Sequence, residues 1–196
     1  MRIPGIRKAP CGVKGLGLVA EVDIPAGTVV WIPCAACRRW TADDLAAVDP
    51  AERDQIIELG YYLSDGAVLL PCNDFCSINH SCAANVLDSL RGFDLAVADI
   101  RAGEELTYDY RVFRYEPEWQ FRCACGADGC IGTVRSARSI PAELLAAWEA
   151  RLAPALARMG HVPQPLGDPF AGPLIPGPPA GSPAERPAGR PGRADP

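Results

Sequence analysis

Three cysteines, Cys123, Cys125 and Cys130, sit at the short spacings of a metal knuckle, with Gly126 and Gly129 letting the backbone wrap closely around a cation. A closed tetrahedral zinc site needs a fourth ligand from elsewhere in the chain. The alternative is three free or buried thiols. Cys34-x-x-Cys37 and Cys72-x-x-x-Cys76 form a second metal set only if the fold brings them together; cysteines beside alanines, as Cys34 and Cys37 are, serve more often as small core residues. A different chemistry is suggested by Asn79-His80-Ser81-Cys82, which holds one of only two histidines, and by Glu105-Leu106-Thr107-Tyr108-Asp109-Tyr110. If that second segment is a strand, Tyr108 and Tyr110 project to one face and Asp109 to the other. Lys14-Gly15-Leu16-Gly17 reads as a tight turn ahead of a strand, or as backbone left bare for a ligand to approach. It is not a dinucleotide fingerprint, because the third glycine is absent and no βαβ unit follows.

The chain of 196 residues is long enough for one ordinary core plus an appendage. Its net charge of -5 argues against general nucleic-acid binding, whose affinity comes mostly from basic residues on phosphates, and suits a basic partner. Only Lys8 and Lys14 are lysines, a bias that with the Ala, Gly and Pro content resembles a high-GC genome and suggests a bacterial-type cytoplasmic protein, or a nuclear one in a eukaryote. The opening MRIPGIRKAPCG lacks the apolar run of a signal peptide, and no stretch of about 18 apolar residues suggests a membrane span. Nine cysteines in a reducing compartment favour metal ligands and free thiols over disulfides.

The elements that must position these residues are short. Leu18–Ile24 and Thr28–Ile32 read as strands about a Pro-Ala-Gly turn, a hairpin-like opening. Asp23-Ile24-Pro25-Ala26-Gly27 is echoed by Asp99-Ile100-Arg101-Ala102-Gly103, the same turn chemistry used twice. Thr41 and Asp44 suggest a capping box, and Asp49-Pro50 an N-cap and first-turn proline for a helix over Ala51–Leu59 that Gly60 stops. Tyr61–Leu70 suggests a hairpin turning at Asp65-Gly66, Phe93–Val97 alternates like a half-buried strand, and Glu105–Tyr110 is a further strand. Over residues 141–159, Leu145, Trp148, Leu152, Leu156 and Met159 share a helical face that Pro154 is expected to kink or interrupt. From His161 onward, where 11 of the 20 prolines lie, disorder is expected.

In order and separation these motifs resemble the SET-domain family of protein lysine methyltransferases, in which an Asn-His-Ser-Cys-x-Pro-Asn segment, a Glu-Leu-Thr-(Phe/Tyr)-Asp-Tyr segment and a Cys-x-Cys-x-x-x-x-Cys tail follow one another. The resemblance covers about residues 12–133. It implies a β-rich fold of several small sheets with short helices and a threaded, knot-like C-terminal segment. The implied organisation is a SET domain over 1–121, a post-SET zinc segment over 122–138, a helix over 139–160 and a Pro-rich tail over 161–196. Cys82 becomes the fourth ligand of a structural zinc with Cys123, Cys125 and Cys130. Lys14, Gly15, Leu16, Gly17, Asn79 and His80 become contacts for S-adenosylmethionine. Tyr110 takes the place of the catalytic tyrosine, and Tyr108 that of the residue limiting how many methyl groups are added, which with a tyrosine implies mainly monomethylation. Ala84 stands where the family has proline and Ile131 where arginine commonly follows the last cysteine; neither change removes a presumed catalytic group.

Such a site has to solve one physical problem. A lysine amine of pKa about 10.4 is deprotonated in only about one part in 2,500 at pH 7, a cost near 4.6 kcal/mol, and a protonated amine has no lone pair to attack with. A narrow apolar channel beside a cationic sulfonium lowers that pKa by desolvation and like-charge repulsion. The tyrosine hydroxyl and backbone carbonyls then aim the amine at the methyl carbon. The expected partner is a lysine-bearing, basic protein or peptide, towards which Asp43, Asp44, Glu116 and Glu118 are candidate acidic contacts or simply solvated surface. Two other readings compete: an inactive SET-like zinc module that binds a basic peptide, and a metal or redox protein built on Cys34, Cys37, Cys72 and Cys76.

Overall fold

In the computed structural model, residues 1–62, 67–112, 119–136 and 140–169 are described. Twelve short strands and three α-helices follow one another there: β1 Ile6–Pro10, β2 Leu16–Ala20, β3 Val29–Trp31, β4 Arg38–Trp40, α1 Ala42–Ala47, α2 Pro50–Leu59, β5 Tyr61–Tyr62, β6 Val68–Leu70, β7 Asn79–His80, β8 Val86–Asp88, β9 Asp94–Ala96, β10 Glu105–Tyr108, β11 Gln120–Arg122, β12 Thr133–Arg135 and α3 Ala142–Arg158. The strands form three sheets: β1-β2-β10-β8-β9-β3, with β7 also on β10; β4-β6-β5; and β11-β12. This is the β-rich, several-sheet architecture expected.

β10 is the centre. It runs antiparallel to β2, with Leu106 opposite Leu18, and parallel to β7 and β8, with Tyr108 opposite both His80 and Val86. The hairpin expected for residues 18–32 does not form. β2 pairs with β1 and β10, and β3 with β9. β2 also begins earlier than expected and ends at Ala20, whose N–H donates to the carbonyl of Glu104. The two echoed turns instead clasp each other. Ile24 and Ile100 form an antiparallel bridge, Asp99 accepts the Ala26 N–H at 2.8 Å, and Asp23 accepts the Ala102 N–H at 2.9 Å.

β9 is buried on both faces rather than one. Ala96 lies in a core with Leu18, Val86, Leu106 and Tyr108, while Leu95 and Phe93 face Val29, Leu87 and the Trp148, Leu152 and Ala155 side of α3. A sheet covered on both faces loses the alternation that marks a half-exposed strand. The helix, expected to kink or be interrupted at Pro154, is not interrupted there and runs on to Arg158. Its apolar face is held on β3, β8 and β9, and that burial outweighs the one backbone hydrogen bond a proline removes.

The segment between β3 and the loop after β6 is a small unit of its own. Trp40, Leu45, Ile56 and Val68 make its core, and both helix caps are as expected: a Thr41–Asp44 capping box, and Asp49 accepting from Ala51 and Glu52 ahead of Pro50. β5 and β6 pair as a hairpin, and its expected turn at Asp65-Gly66 lies outside the described residues. The disorder expected from His161 does not hold for 161–169. The Gln164 side chain accepts the Val29 N–H at 2.9 Å and donates to the Gly27 carbonyl at 2.7 Å, and Leu166 packs on the core. Those bonds satisfy backbone that β9 does not cover at the start of an edge strand. The expected disorder of 170–196 lies outside the described residues, as do Glu116 and Glu118. No helix among the described residues is long and apolar enough to cross a membrane.

Candidate active site and cysteine cluster

Parallel pairing of β7 with β10 brings the two polar segments into one place. β10 ends at Tyr108, so Tyr108 and Tyr110 do not share a strand face as expected; Tyr110 opens a 3-10 turn over Tyr110–Val112. Their environments differ accordingly. Tyr108 is 1% exposed and donates its hydroxyl to Asp94 at 3.0 Å, deep in the core. Burial pushes both groups well above their ordinary values. Tyr110 is half-buried, and its hydroxyl donates to the Ile78 carbonyl. Its ring packs against His80 and Phe121, with centroids 5.5 and 6.0 Å away, and Phe121 stacks on Trp119.

His80 is buried, and desolvation lowers its pKa to about 4, so the ring is neutral. Its Nδ1 accepts the Tyr110 N–H at 3.1 Å, which places the ring proton on Nε2, 3.4 Å from Cys82 Sγ. The imidazole therefore links the tyrosine turn to the first cysteine, and both its nitrogens are engaged. Asp109, 1% exposed, holds the turn from the other side. It accepts from Arg111 Nε at 2.8 Å, from the Arg111 backbone N–H at 3.1 Å and from Trp148 Nε1 of α3 at 3.0 Å.

On the opposite side of β10, Lys14 is ion-paired with Glu105. Glu105 also accepts from Asn79 Nδ2 at 2.8 Å, and the same amide donates to the Leu16 carbonyl at 3.2 Å. Gly17 lies beneath this group. A Cβ there would come within 2.6 Å of Asn79 Nδ2 and of Glu105 Oε1, so its bareness is used by the protein's own side chains. Gly15 is different: its φ of 78° is left-handed and a Cβ would meet nothing within 4 Å. Lys14, Gly15, Leu16, Gly17 and Asn79 are thus brought together, with Gly15 at the open side.

Sequence reasoning missed Glu105, Asp109 and Asn85 as the organisers of this region. Asn85 donates to the Glu105 carbonyl at 2.9 Å and accepts the Thr107 N–H at 2.8 Å, an amide side chain standing in for a strand partner of β10. All three lie inside the two motifs; what spacing did not disclose was their partners, backbone of the other motif for Asn85, the Asn79 amide and Lys14 for Glu105, and Arg111 and Trp148 for Asp109.

The sulfurs of Cys82, Cys123, Cys125 and Cys130 lie within 4.8 Å of one another, Cys82 and Cys123 at 3.8 Å. Four sulfurs about 2.3 Å from a tetrahedral zinc would stand about 3.8 Å apart, so this donor set fits that ion. Backbone N–H groups already face the sulfurs: that of Ile131 towards Cys82, that of Cys125 towards Cys123, and those of Ala127 and Cys82 towards Cys125. Such donors stabilise thiolates rather than thiols. β11 leads into this cluster and carries Phe121, so the cluster and the aromatic wall beside Tyr110 are one structure.

A sheet centred on β10, a tyrosine turn braced by a histidine and a four-cysteine cluster on the same brace define the class. Residues 15–111 match the SET domain family, and the chain is a SET-domain protein. Among curated proteins it is 37% identical over 81 residues to histone-lysine N-methyltransferase ASHR3 of Arabidopsis thaliana, covering 38% of this chain and 16% of that protein. It is 32% identical over 134 residues to the H3 lysine-36 specific histone-lysine N-methyltransferase of Schizosaccharomyces pombe and 40% identical over 132 residues to that of Yarrowia lipolytica, covering 62% and 61% of this chain. The chain matches only 16–17% of the length of these three relatives.

Proposed function

We propose that this protein is an S-adenosylmethionine-dependent protein-lysine N-methyltransferase with a structural zinc at Cys82, Cys123, Cys125 and Cys130. The observation that carries the reading is the joint placement of Tyr110, the Asn79-His80 strand and the cysteine cluster, which in a module without chemistry would have no common purpose. S-adenosylmethionine supplies an electrophilic methyl group when bound. The open space at Gly15, near Asn79, is where the chain can receive it.

The chain's own residues do the rest. The Ile78 carbonyl orients the Tyr110 phenol, and the Tyr110 backbone N–H on His80 Nδ1 fixes the turn that carries it. Phe121, Trp119 and the Tyr110 ring give an apolar wall that disfavours a charged amine, so a lysine entering beside them loses its proton more readily than in water. The tyrosine oxygen then accepts from or aligns the neutral amine. The relatives' names point to histone H3 as a first substrate to try. The net charge of -5 suits a basic tail.

The resemblance further implies a single added methyl group, with Tyr108 as the limiting residue. The placement of the Tyr108 hydroxyl on Asp94, inside the core, speaks against a direct role for it. Mass spectrometry of a methylated substrate decides the matter, with predominant trimethylation ending that expectation.

The test is a methyl-transfer assay on core histones with the full zinc-replete chain, alongside calorimetric titration with S-adenosylmethionine. We expect one saturable cofactor site, and transfer that falls at least about 100-fold in Tyr110→Phe while cofactor affinity stays within about threefold, the pattern of a group acting on the reacting amine. A folded, metallated protein that binds no cofactor would sink the reading and leave the peptide-binding module.

A further inference from the structure

A second cysteine cluster lies away from the tyrosine turn. Cys34 and Cys37 begin the β4-to-β6 unit and Cys72 closes it. In the fold their sulfurs converge: Cys34 to Cys72 at 3.5 Å, Cys34 to Cys37 at 3.8 Å and Cys37 to Cys72 at 3.8 Å. These are close to the edges of a tetrahedron of thiolates around an ion bound at about 2.3 Å. Three uncoordinated thiols have no comparable reason to meet from positions 38 residues apart.

Polar groups of the chain surround the three sulfurs. The backbone N–H of Ala36 faces Cys34 Sγ, and Asn73 Nδ2 lies 4.0 Å from Cys72 Sγ. The Cys37 N–H closes the turn on the Cys34 carbonyl at 2.8 Å. Cys76, the fourth member of the sequence set, points elsewhere, with its sulfur 3.5 Å from the Asn73 carbonyl. Cys37 is buried, Cys34 half-buried and Cys72 exposed, so the open corner of the tetrahedron is on the solvent side.

We propose that Cys34, Cys37 and Cys72 form a second zinc site, with three protein thiolates and a water or other exogenous ligand in the fourth position. Binding releases the thiol protons to solvent, and no bond is oxidised. The ion ties the start of the β4-to-β6 unit to its end. It also anchors the loop leading to Phe75, which stacks on Trp31 at 5.6 Å and precedes the Asn79-His80 strand. An open fourth position makes this site more accessible to chelators than the four-cysteine cluster.

The experiment is metal analysis of the full chain purified in zinc under reducing conditions. About two zinc ions per chain are expected in wild type, about one in Cys72→Ser and about one in Cys125→Ser, each variant losing a different ion. One ion in wild type, lost in Cys125→Ser but retained in Cys72→Ser, would overturn the proposal. One ion lost in Cys72→Ser and retained in Cys125→Ser would uphold it and remove the zinc at Cys82 instead. Cobalt titration of the wild type guards against a variant that fails to fold. Two equivalents are expected, with three-sulfur and four-sulfur spectra; saturation at about one, with only the four-sulfur spectrum, would refute the second site.

Discussion

Gly17 and Asp94 show how much single atoms decide here. A methyl group at Gly17 would have to displace Asn79 and Glu105 together, so Gly17→Ala is expected to destabilise the fold by about 1–3 kcal/mol and to weaken cofactor binding; chemical denaturation and calorimetry measure the two. Unaltered stability would mean that the Asn79–Glu105–Lys14 group yields freely. Asp94 sets a pH dependence. It faces Tyr108 and Asp88 and feels the amino terminus, and burial raises its pKa above that of the unfolded chain. Folding therefore takes up a proton. The contribution is complete below the ordinary carboxylate value of about 3.9 and is lost as pH rises through the higher folded value. Asp94→Asn keeps an acceptor for Tyr108 and removes the titration. Its stability should vary less than that of wild type as pH rises above the ordinary carboxylate value, whereas parallel urea midpoints for the two proteins would show that Asp94 is ionised in both states. Little of this was legible in the sequence. The alternation of Phe93–Val97 assigns Asp94 to solvent, and only the core around Tyr108, on the face of β9 opposite α3, reverses that.

At the scale of elements, local signals served best where local physics decides. The caps of α1 and α2 depend on residues three or four apart and were readable from Thr41, Asp44, Asp49 and Pro50. β1 was missed because Ile6–Pro10 shows neither alternation nor β-branched density; its pairing with β2 creates it. Pro154 was over-weighted for the opposite reason, a local rule overridden by a packed face. That face has a functional end, since Trp148 reaches Asp109, the anchor of the tyrosine turn. Trp148→Phe retains most of the ring volume but leaves one buried carboxylate contact unmade. It should cost about 1–3 kcal/mol and lower methyl transfer more than cofactor affinity. A loss of stability without any change in transfer would confine α3 to a supporting role.

At the scale of the whole molecule, the motifs told which family the chain belongs to, while the sheet order that makes them a site is invisible in any window of sequence. Cys82 and Cys123 stand 41 residues apart and Asn79 and Glu105 26 apart, and no periodicity links them. Removing metal tests how far these links act as a unit. A strong chelator under reducing conditions should abolish methyl transfer and expose Phe121 and Trp119, read as a shift in tryptophan fluorescence; activity that survives complete metal removal would show that the cluster and the tyrosine turn are independent. The position of β10 has a further consequence, for biosynthesis. Its neighbours β2, β7 and β8 all leave the ribosome before it, and between β2 and β8 there is nothing to hold until Glu105–Tyr108 arrives. A nascent chain stalled at residue 100 possesses most of its strands and no sheet centre, so closure is late, non-local and slow. The segment that completes the sheet is followed at once by Tyr110. Tyr110 is therefore placed in the same event as the fold, and no partly built chain holds it in that position.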